Sequence, residues 1–405
     1  MKIASFIPSF PGISENFILS QLTELIDQGC DVDVFSHSRG DSSKIHPDVE
    51  KYGLLDRTHY WADGSRWHRA ARYLGRAAPS GFRDPVGFLR TLDPRFGRDA
   101  LGVTQLYTAA PQLRRDEYDV IHCHFGTAAV APVLLRDCLG LSAKVITTFY
   151  GSDVTRYPRL RGMKCYEQLF SSGDHFLALS KSMHARLVAL GCPEHKLSIH
   201  HLGVRCDKIS FRPRELEAGS PVRLVSAARL VEKKGLEYAI RAVALLRNDG
   251  FDVQFEVFGD GPLRGSLEAL INELDLCDRV TLHGFATQPE VIRAIQRSHI
   301  FVLPSVTASD GDEEGTPTAI IEAMASGLPI VSTQHSGIPE QVDDGVSGFL
   351  VPERDASALA NALKELLQKP TGWSTMVSAA RRRAEHSFDS RALARDLLTL
   401  YRSNP

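Results

Sequence analysis

Short apolar runs alternate with amphipathic segments along almost the whole chain, and the series occurs twice. In the first half Lys2–Ile7, Asp31–Phe35, Asp119–Cys123, Lys144–Thr148, His175–Leu179 and Lys196–His201 read as strands. A helix is predicted over Ser14–Gln28, and further helices between the later strands. The second series has strands at Val222–Ala227, Val253–Phe258, Val280–Leu282, Ile300–Leu303, Ile330–Ser332 and Gly348–Val351. Its helices fall at Leu236–Arg247, Leu263–Leu274 and Pro289–Arg297, around Glu322, and at Ala356–Leu367 and Ser390–Tyr401. Such alternation requires parallel sheets covered by helices.

At 405 residues the chain is too long for one ordinary core. The expected fold class is α/β, with two doubly wound, Rossmann-like domains facing each other across a cleft. A first domain over 1–206 precedes a linker over 207–221, where Arg212-Pro213-Arg214 and Gly219-Ser220-Pro221 mark a polar stretch. A second domain covers 222–385, followed by a helical segment over 386–405. Ligands of such folds sit beyond the carboxyl ends of the strands, so the cleft is the expected site.

A formal net charge of −2 argues against a nucleic-acid binder that relies on bulk charge. Seven cysteines are scattered without a Cys-x-x-Cys pair, which suggests reduced thiols in a cytoplasmic protein rather than disulfides or zinc. The first apolar run is too short for a signal peptide, and no stretch approaches the roughly 20 apolar residues of a spanning helix. The segment Ser65–Arg98 holds eight arginines among Trp67, Tyr73, Phe82, Phe88 and Phe96. It reads either as a solvated helical hairpin or as a basic, aromatic surface. The surface would rest on anionic lipid at the inner face of the plasma membrane or hold an anionic acceptor.

Chemistry concentrates in the second half. In the run EEGTPTAIIEAMASGLPIV, Glu314 precedes Gly315, Thr316, Pro317 and Thr318, and Glu322 lies inside an almost wholly apolar helix. Pro317 suits the first helical turn. A carboxylate buried there needs a partner; sugar or ribose hydroxyls could serve, and so could a basic core residue. After the strand Val222–Ala227, Arg229 and Lys234 stand five positions apart and could bracket a diphosphate, Arg as a planar fork and Lys as a point charge. Phe258-Gly259-Asp260-Gly261-Pro262-Leu263 is a strand-to-helix turn whose spacing departs from Gly-x-Gly-x-x-Gly. His283-Gly284-Phe285 follows another strand, where backbone groups could meet a base edge. These features follow successive strands of one sheet, so they converge on one edge and suit a nucleotide-diphosphate sugar. In the first half, His122 and His124 alternate along a strand and so share a face.

The Arg229/Lys234 pair, the Gly259–Pro262 turn and Glu314-x7-Glu322 resemble the motifs of retaining GT-B glycosyltransferases, glycosyltransferase family 4. The likeness covers most of residues 222–351. Ser14-Glu15-Asn16-Phe17-Ile18, His124-Phe125-Gly126 and Thr148-Phe149-Tyr150-Gly151-Ser152-Asp153 are similar to the branch that builds exopolysaccharides such as colanic acid and amylovoran. The resemblance implies that Arg229 and Lys234 hold the donor diphosphate, Glu322 the ribose and Glu314 the donor sugar. Gly12 would let the backbone near phosphate or acceptor, and Asp153, Leu263 and Phe285 belong to the same expected site. It also implies a UDP-, GDP- or ADP-sugar donor, a saccharide or lipid-linked acceptor, no metal, and a C-terminal helix that crosses back to the first domain. Asp310-Gly311-Asp312 resembles a metal-binding Asp-x-Asp only superficially. Where many members carry a histidine this chain has Tyr150, which does not titrate near neutral pH. His124 could fill that role or be structural. An inactive nucleotide-sugar-binding partner subunit and, less favoured, a GT-B-type epimerase remain as alternatives.

Overall fold

Every ladder between strands of the structure is parallel. This computed structural model describes residues 1–12, 16–40, 45–62, 75–77, 79–80, 84–111, 113, 117–214, 216 and 221–403. The chain divides into two compact units, Met1–His200 with Ala394–Pro405, and His201–Leu393. The first contains β1 (Lys2–Phe10), β2 (Asp31–Arg39), β3 (Thr58–Tyr60), β4 (Val120–His124), β5 (Lys144–Thr148), β6 (His175–Ala178) and β7 (Leu197–Ile199). Their order is β3-β2-β1-β4-β5-β6-β7. The second contains β8 (Val222–Ala227), β9 (Val253–Phe258), β10 (Val280–Gly284), β11 (Ile300–Leu303), β12 (Ile330–Thr333) and β13 (Phe349–Val351), in the order β10-β9-β8-β11-β12-β13. In each sheet the winding reverses once, between β1 and β4 and between β8 and β11. In sheets of this kind the strand-end loops part at that point.

The central strand β11 is apolar throughout because both of its faces are covered. In β11, Ile300 and Val302 enter one core with the helices Leu236–Asn248 and Ala356–Gln368. Phe301 and Leu303 enter the opposite core with the helix Thr318–Ser326 and with Ala380 and Ala384. Each such side chain contributes about 1.5–3 kcal/mol by leaving water.

Some elements differ from the sequence expectation. β3 has only three residues, Thr58-His59-Tyr60, too few for a period. The helix Trp373–Ser387 was not expected, although Trp373, Val377, Ala380 and Ala384 keep helical spacing; two of the four are alanines, and Arg381-Arg382-Arg383 masks the stripe. Pro317 is the N-cap rather than a first-turn residue, and the helix begins at Thr318. The polar stretch expected as a linker is tied to the second unit over its described part. The Arg212 amide donates to Ser326, Arg214 Nε to the Ser298 carbonyl, and Arg381 to the carbonyls of Cys206 and Ile209. Ser14 and Glu15 lie outside the described residues, as do Trp67, Tyr73, Phe82 and four of the eight arginines of the Arg-rich segment. No described helix is long and apolar enough to cross a membrane.

In the helix Ser390–Arg402, the residues from Ala394 onward belong to the first unit. Lys144 Nζ donates to the Leu400 carbonyl at 2.8 Å, where a cation complements the helix C-terminus. The Tyr401 hydroxyl meets His122 Nδ1 at 2.6 Å. That contact opens a buried polar cluster: His122 Nε2 meets Thr148 Oγ1 at 2.8 Å, His124 Nδ1 meets the Tyr150 hydroxyl at 2.6 Å, and His124 Nε2 meets Ser5 Oγ at 3.1 Å. The two rings touch, with centroids 4.4 Å apart. Hydroxyls can donate or accept, so all four ring nitrogens are satisfied with both rings neutral.

Burial holds the His122 imidazole well below its ordinary value and His124 at about 3. In an unfolded chain these groups protonate near pH 6.5, so their contribution to stability is present above that pH and fades as pH falls below it. His124→Gln should therefore cost less stability at pH 5 than at pH 7.5 in thermal unfolding. An equal cost at both would mean that the ring titrates in the folded protein as it does in the unfolded chain.

Candidate active site

The loops after β8 and β11 leave adjacent strands at the reversal point of the second sheet. The first carries Arg229 to Lys234 and the second carries Glu314. Lys234 Nζ lies 2.8 Å from Glu314 Oε2, with Glu314 buried and the Lys234 side chain 13% exposed. Lys233 Nζ pairs with Asp312 at 3.0 Å and donates to the Glu313 carbonyl at 3.2 Å. Burial would push the Glu314 carboxyl up, but the Lys234 and Lys233 charges overcome it and hold the group at about 2. Burial in turn lowers Lys234, with Glu314 opposing, and the nearby Lys233 and Arg229 charges add to the lowering. Arg229 itself is exposed. Glu314 is thus an anion at neutral pH among three cations. Its second oxygen, Oε1, is buried and accepts no hydrogen bond; it lies 3.8 Å from Lys233 Nζ. An ionised oxygen in that position has acceptor capacity left for a hydroxyl.

Glu322 is also buried, one turn into the helix that follows Thr318. Gln288 Nε2, at the start of the helix Gln288–Arg297, donates to Glu322 Oε1 at 2.8 Å. Burial raises the Glu322 carboxyl to about 7, and the amide only partly offsets this. Gly315, Thr316 and Pro317 are buried between the two acids, and Thr318 is half-buried.

The turn Gly259–Pro262 has a packing cause. A Cβ on Gly259, whose φ is 141°, would stand 1.9 Å from the Ala228 carbonyl oxygen, and one on Gly261 would stand 2.5 Å from that of Leu230. The glycines let the Arg229 loop lie directly on this turn. The Leu263 amide is spent on the Leu230 carbonyl at 3.0 Å. Phe285 is exposed just past β10, while the His283 ring stacks on Phe258 at 4.3 Å and bonds Glu256 at 2.8 Å.

In the first unit Gly12 follows β1, and His124 ends β4 beside it in the sheet. His124 is wholly buried and Tyr150 nearly so, with Phe17 and Phe125 against the Tyr150 ring at 4.9 and 4.6 Å. Phe125 holds a φ of 72°. Asp153 accepts from the amides of Gly126 at 2.9 Å, Tyr150 at 3.0 Å and Gly151 at 2.9 Å. Burial raises its pKa and those amides counter it. Its geometry is that of a clamp on the Tyr150 loop.

Residues 207–384 match the glycosyl transferases group 1 family, and residues 14–208 match Glycosyltransferase Family 4. The chain is 36% identical over 405 residues to WcaL of Escherichia coli (strain K12), assigned to colanic acid biosynthesis, with 99% of each chain covered. It is 36% identical over 402 residues to the amylovoran biosynthesis glycosyltransferase AmsK of Erwinia amylovora, with 98% of each covered. The chain belongs to glycosyltransferase family 4. Among solved structures, this family 4 glycosyltransferase superposes on Anabaena HepE in complex with UDP-glucose with a TM-score of 0.73 at 18% identity, covering 99% of both chains. Sucrose-phosphate synthase of Thermosynechococcus elongatus superposes at 0.72 and 19%, covering 99% and 98%. At these identities the likeness concerns the fold, which is GT-B.

Several residues of this arrangement escaped sequence reasoning. Lys233 sits inside the Arg229–Lys234 motif, but nothing in the sequence distinguishes it there. Gln288 is 34 positions from Glu322, with no local sign of contact. The Glu322 carboxyl is ionised above about pH 7 and buried, so it destabilises the empty protein there. A neutral amide escapes that cost. Glu322→Gln should raise stability relative to the parent at pH 8, by about 2–3 kcal/mol at most, and change it little at pH 5. Denaturant titrations at the two pH values check this; equal effects would refute it.

Proposed function

We propose that this glycosyltransferase moves a sugar from a nucleoside-diphosphate sugar to a hydroxyl of a saccharide acceptor, lipid-linked in form, with anomeric retention and without a metal, in exopolysaccharide biosynthesis. The observation that carries the reading is the buried Lys234–Glu314 pair with its unsatisfied Oε1, beside Lys233 and Arg229. Support for the pathway comes from the names of the full-length relatives. Support for the donor class comes from neighbours of the same fold crystallised with UDP and UDP-glucose.

Negative charge grows on the diphosphate as the glycosidic bond breaks. Arg229 and Lys234 supply positive potential that needs no reorganisation when this happens, worth about 2.7–4 kcal/mol per group. Lys234 has three N–H donors, so it can bind a phosphate oxygen while keeping Glu314. Glu314, ionised and short of one hydrogen bond, accepts from hydroxyls of the donor sugar. Glu322 accepts from the ribose hydroxyls, which stabilises its ionised form and offsets its burial. The acceptor attacks the face that the diphosphate leaves, and a departing phosphate oxygen takes the acceptor proton.

The alternative of an inactive binding subunit rests on Tyr150, whose hydroxyl is held by a neutral, buried His124. Labelled UDP-, GDP- and ADP-sugars with lipid-linked saccharide separate the two readings, since the subunit would bind donor and transfer nothing.

With the active donor, Lys234→Ala should lower kcat by about 10²–10³; a loss below about tenfold would count against charge stabilisation. Transfer should persist in EDTA at the rate seen without it. Abolition by the chelator, reversed by manganese, would overturn the metal-free reading.

A further inference from the structure

Glu314 stands in the loop between β11 and the helix Thr318–Ser326, and its backbone is gripped on both sides. Its N–H donates to His335 Nε2 at 3.1 Å, and its carbonyl accepts from Ser336 Oγ at 2.7 Å. These two residues follow Gln334, the first residue past β12, and Ser336 has a left-handed backbone with φ 47°. A non-glycine residue keeps that conformation only where its surroundings impose it. Because Nε2 accepts, the imidazole proton resides on Nδ1, which donates to Glu353 Oε1 at 2.6 Å. Glu353, just past β13, accepts on its other oxygen from the Thr307 amide at 2.8 Å, at the start of the same loop. The His335 ring is 1% exposed. It therefore works between protein groups and does not touch solvent-borne substrate.

The geometry points to His335, Ser336 and Glu353 as positioning residues that fix Glu314 for the donor sugar, an inference that rests on the proposed transfer reaction. Lys233 and Lys234 hold the loop from the β8 side, through Asp312 and the Glu314 carboxylate. The His335–Glu353 chain holds it from the β12 and β13 sides. Three strand ends thus converge on one carboxylate. Displacement of a reacting constellation by about 1 Å costs on the order of 10² in rate, and sites of this kind need their supporting residues locked.

Three variants test this. His335→Leu removes the acceptor facing the Glu314 amide; His335→Gln offers an oxygen at similar reach. Ser336→Gly deletes the hydroxyl and tolerates the left-handed backbone, and it serves should the leucine variant fail to fold. Deuterium uptake of the 305–317 segment should accelerate in His335→Leu and Ser336→Gly and stay near the parent rate in His335→Gln. With the active donor, kcat should drop about 10- to 100-fold in His335→Leu and recover most of the way in His335→Gln, with nucleoside-diphosphate affinity within about threefold of the parent. Unchanged uptake in both loosened variants, or accelerated uptake with unchanged kcat, would overturn the inference. Accelerated uptake in the two loosened variants, with a parent protein that transfers no sugar from any donor, would instead sink the transfer reading and leave the clamp standing.

Discussion

An ammonium and a carboxylate 2.8 Å apart, both withdrawn from water, set the terms for the second unit. Neither Lys234 nor Glu314 could remain ionised there alone, since an unpaired buried charge costs several kcal/mol. Buried pairs of this kind are often no better for stability than a well-packed apolar pair. The surrounding structure accordingly works to keep this one in place. Lys233 adds a second cation, Asp312 neutralises that cation, and glycines at 259 and 261 bring the Arg229 loop close. The result is an anion with spare acceptor capacity beside concentrated positive charge, an arrangement suited to a ligand with hydroxyls next to phosphates.

The first unit meets burial of polar groups in the opposite way. Its strand-end histidines are neutral, and each ring nitrogen finds a hydroxyl or phenol. Tyr150 stands at the edge of this cluster, fixed by His124 and by flanking aromatic rings. Burial keeps both imidazoles neutral, so neither changes charge near neutral pH.

Much of the architecture was legible because a parallel strand covered on both faces reads as a continuous apolar run, as β11 does. Glu314 and Glu322 stood out because acids in an apolar setting are conspicuous. Gln288, His335 and Glu353 did not stand out. Polar residues in strand-end loops are ordinary, and what distinguishes these is the atom each one faces. The alanine-rich helix Trp373–Ser387 was hidden for a related reason, since small residues beside three arginines give a faint stripe.

From the chain alone came the alternation of strands and helices, the strand edge on which the acids and cations gather, and the family. Those are properties of period and local composition. Which groups share hydrogen bonds, why the Glu322 carboxyl is raised and how Glu314 is held depended on contacts between residues 18 to 80 positions apart. Desolvation and hydrogen-bond geometry act through space, and only the folded chain assigns each of these side chains its neighbours.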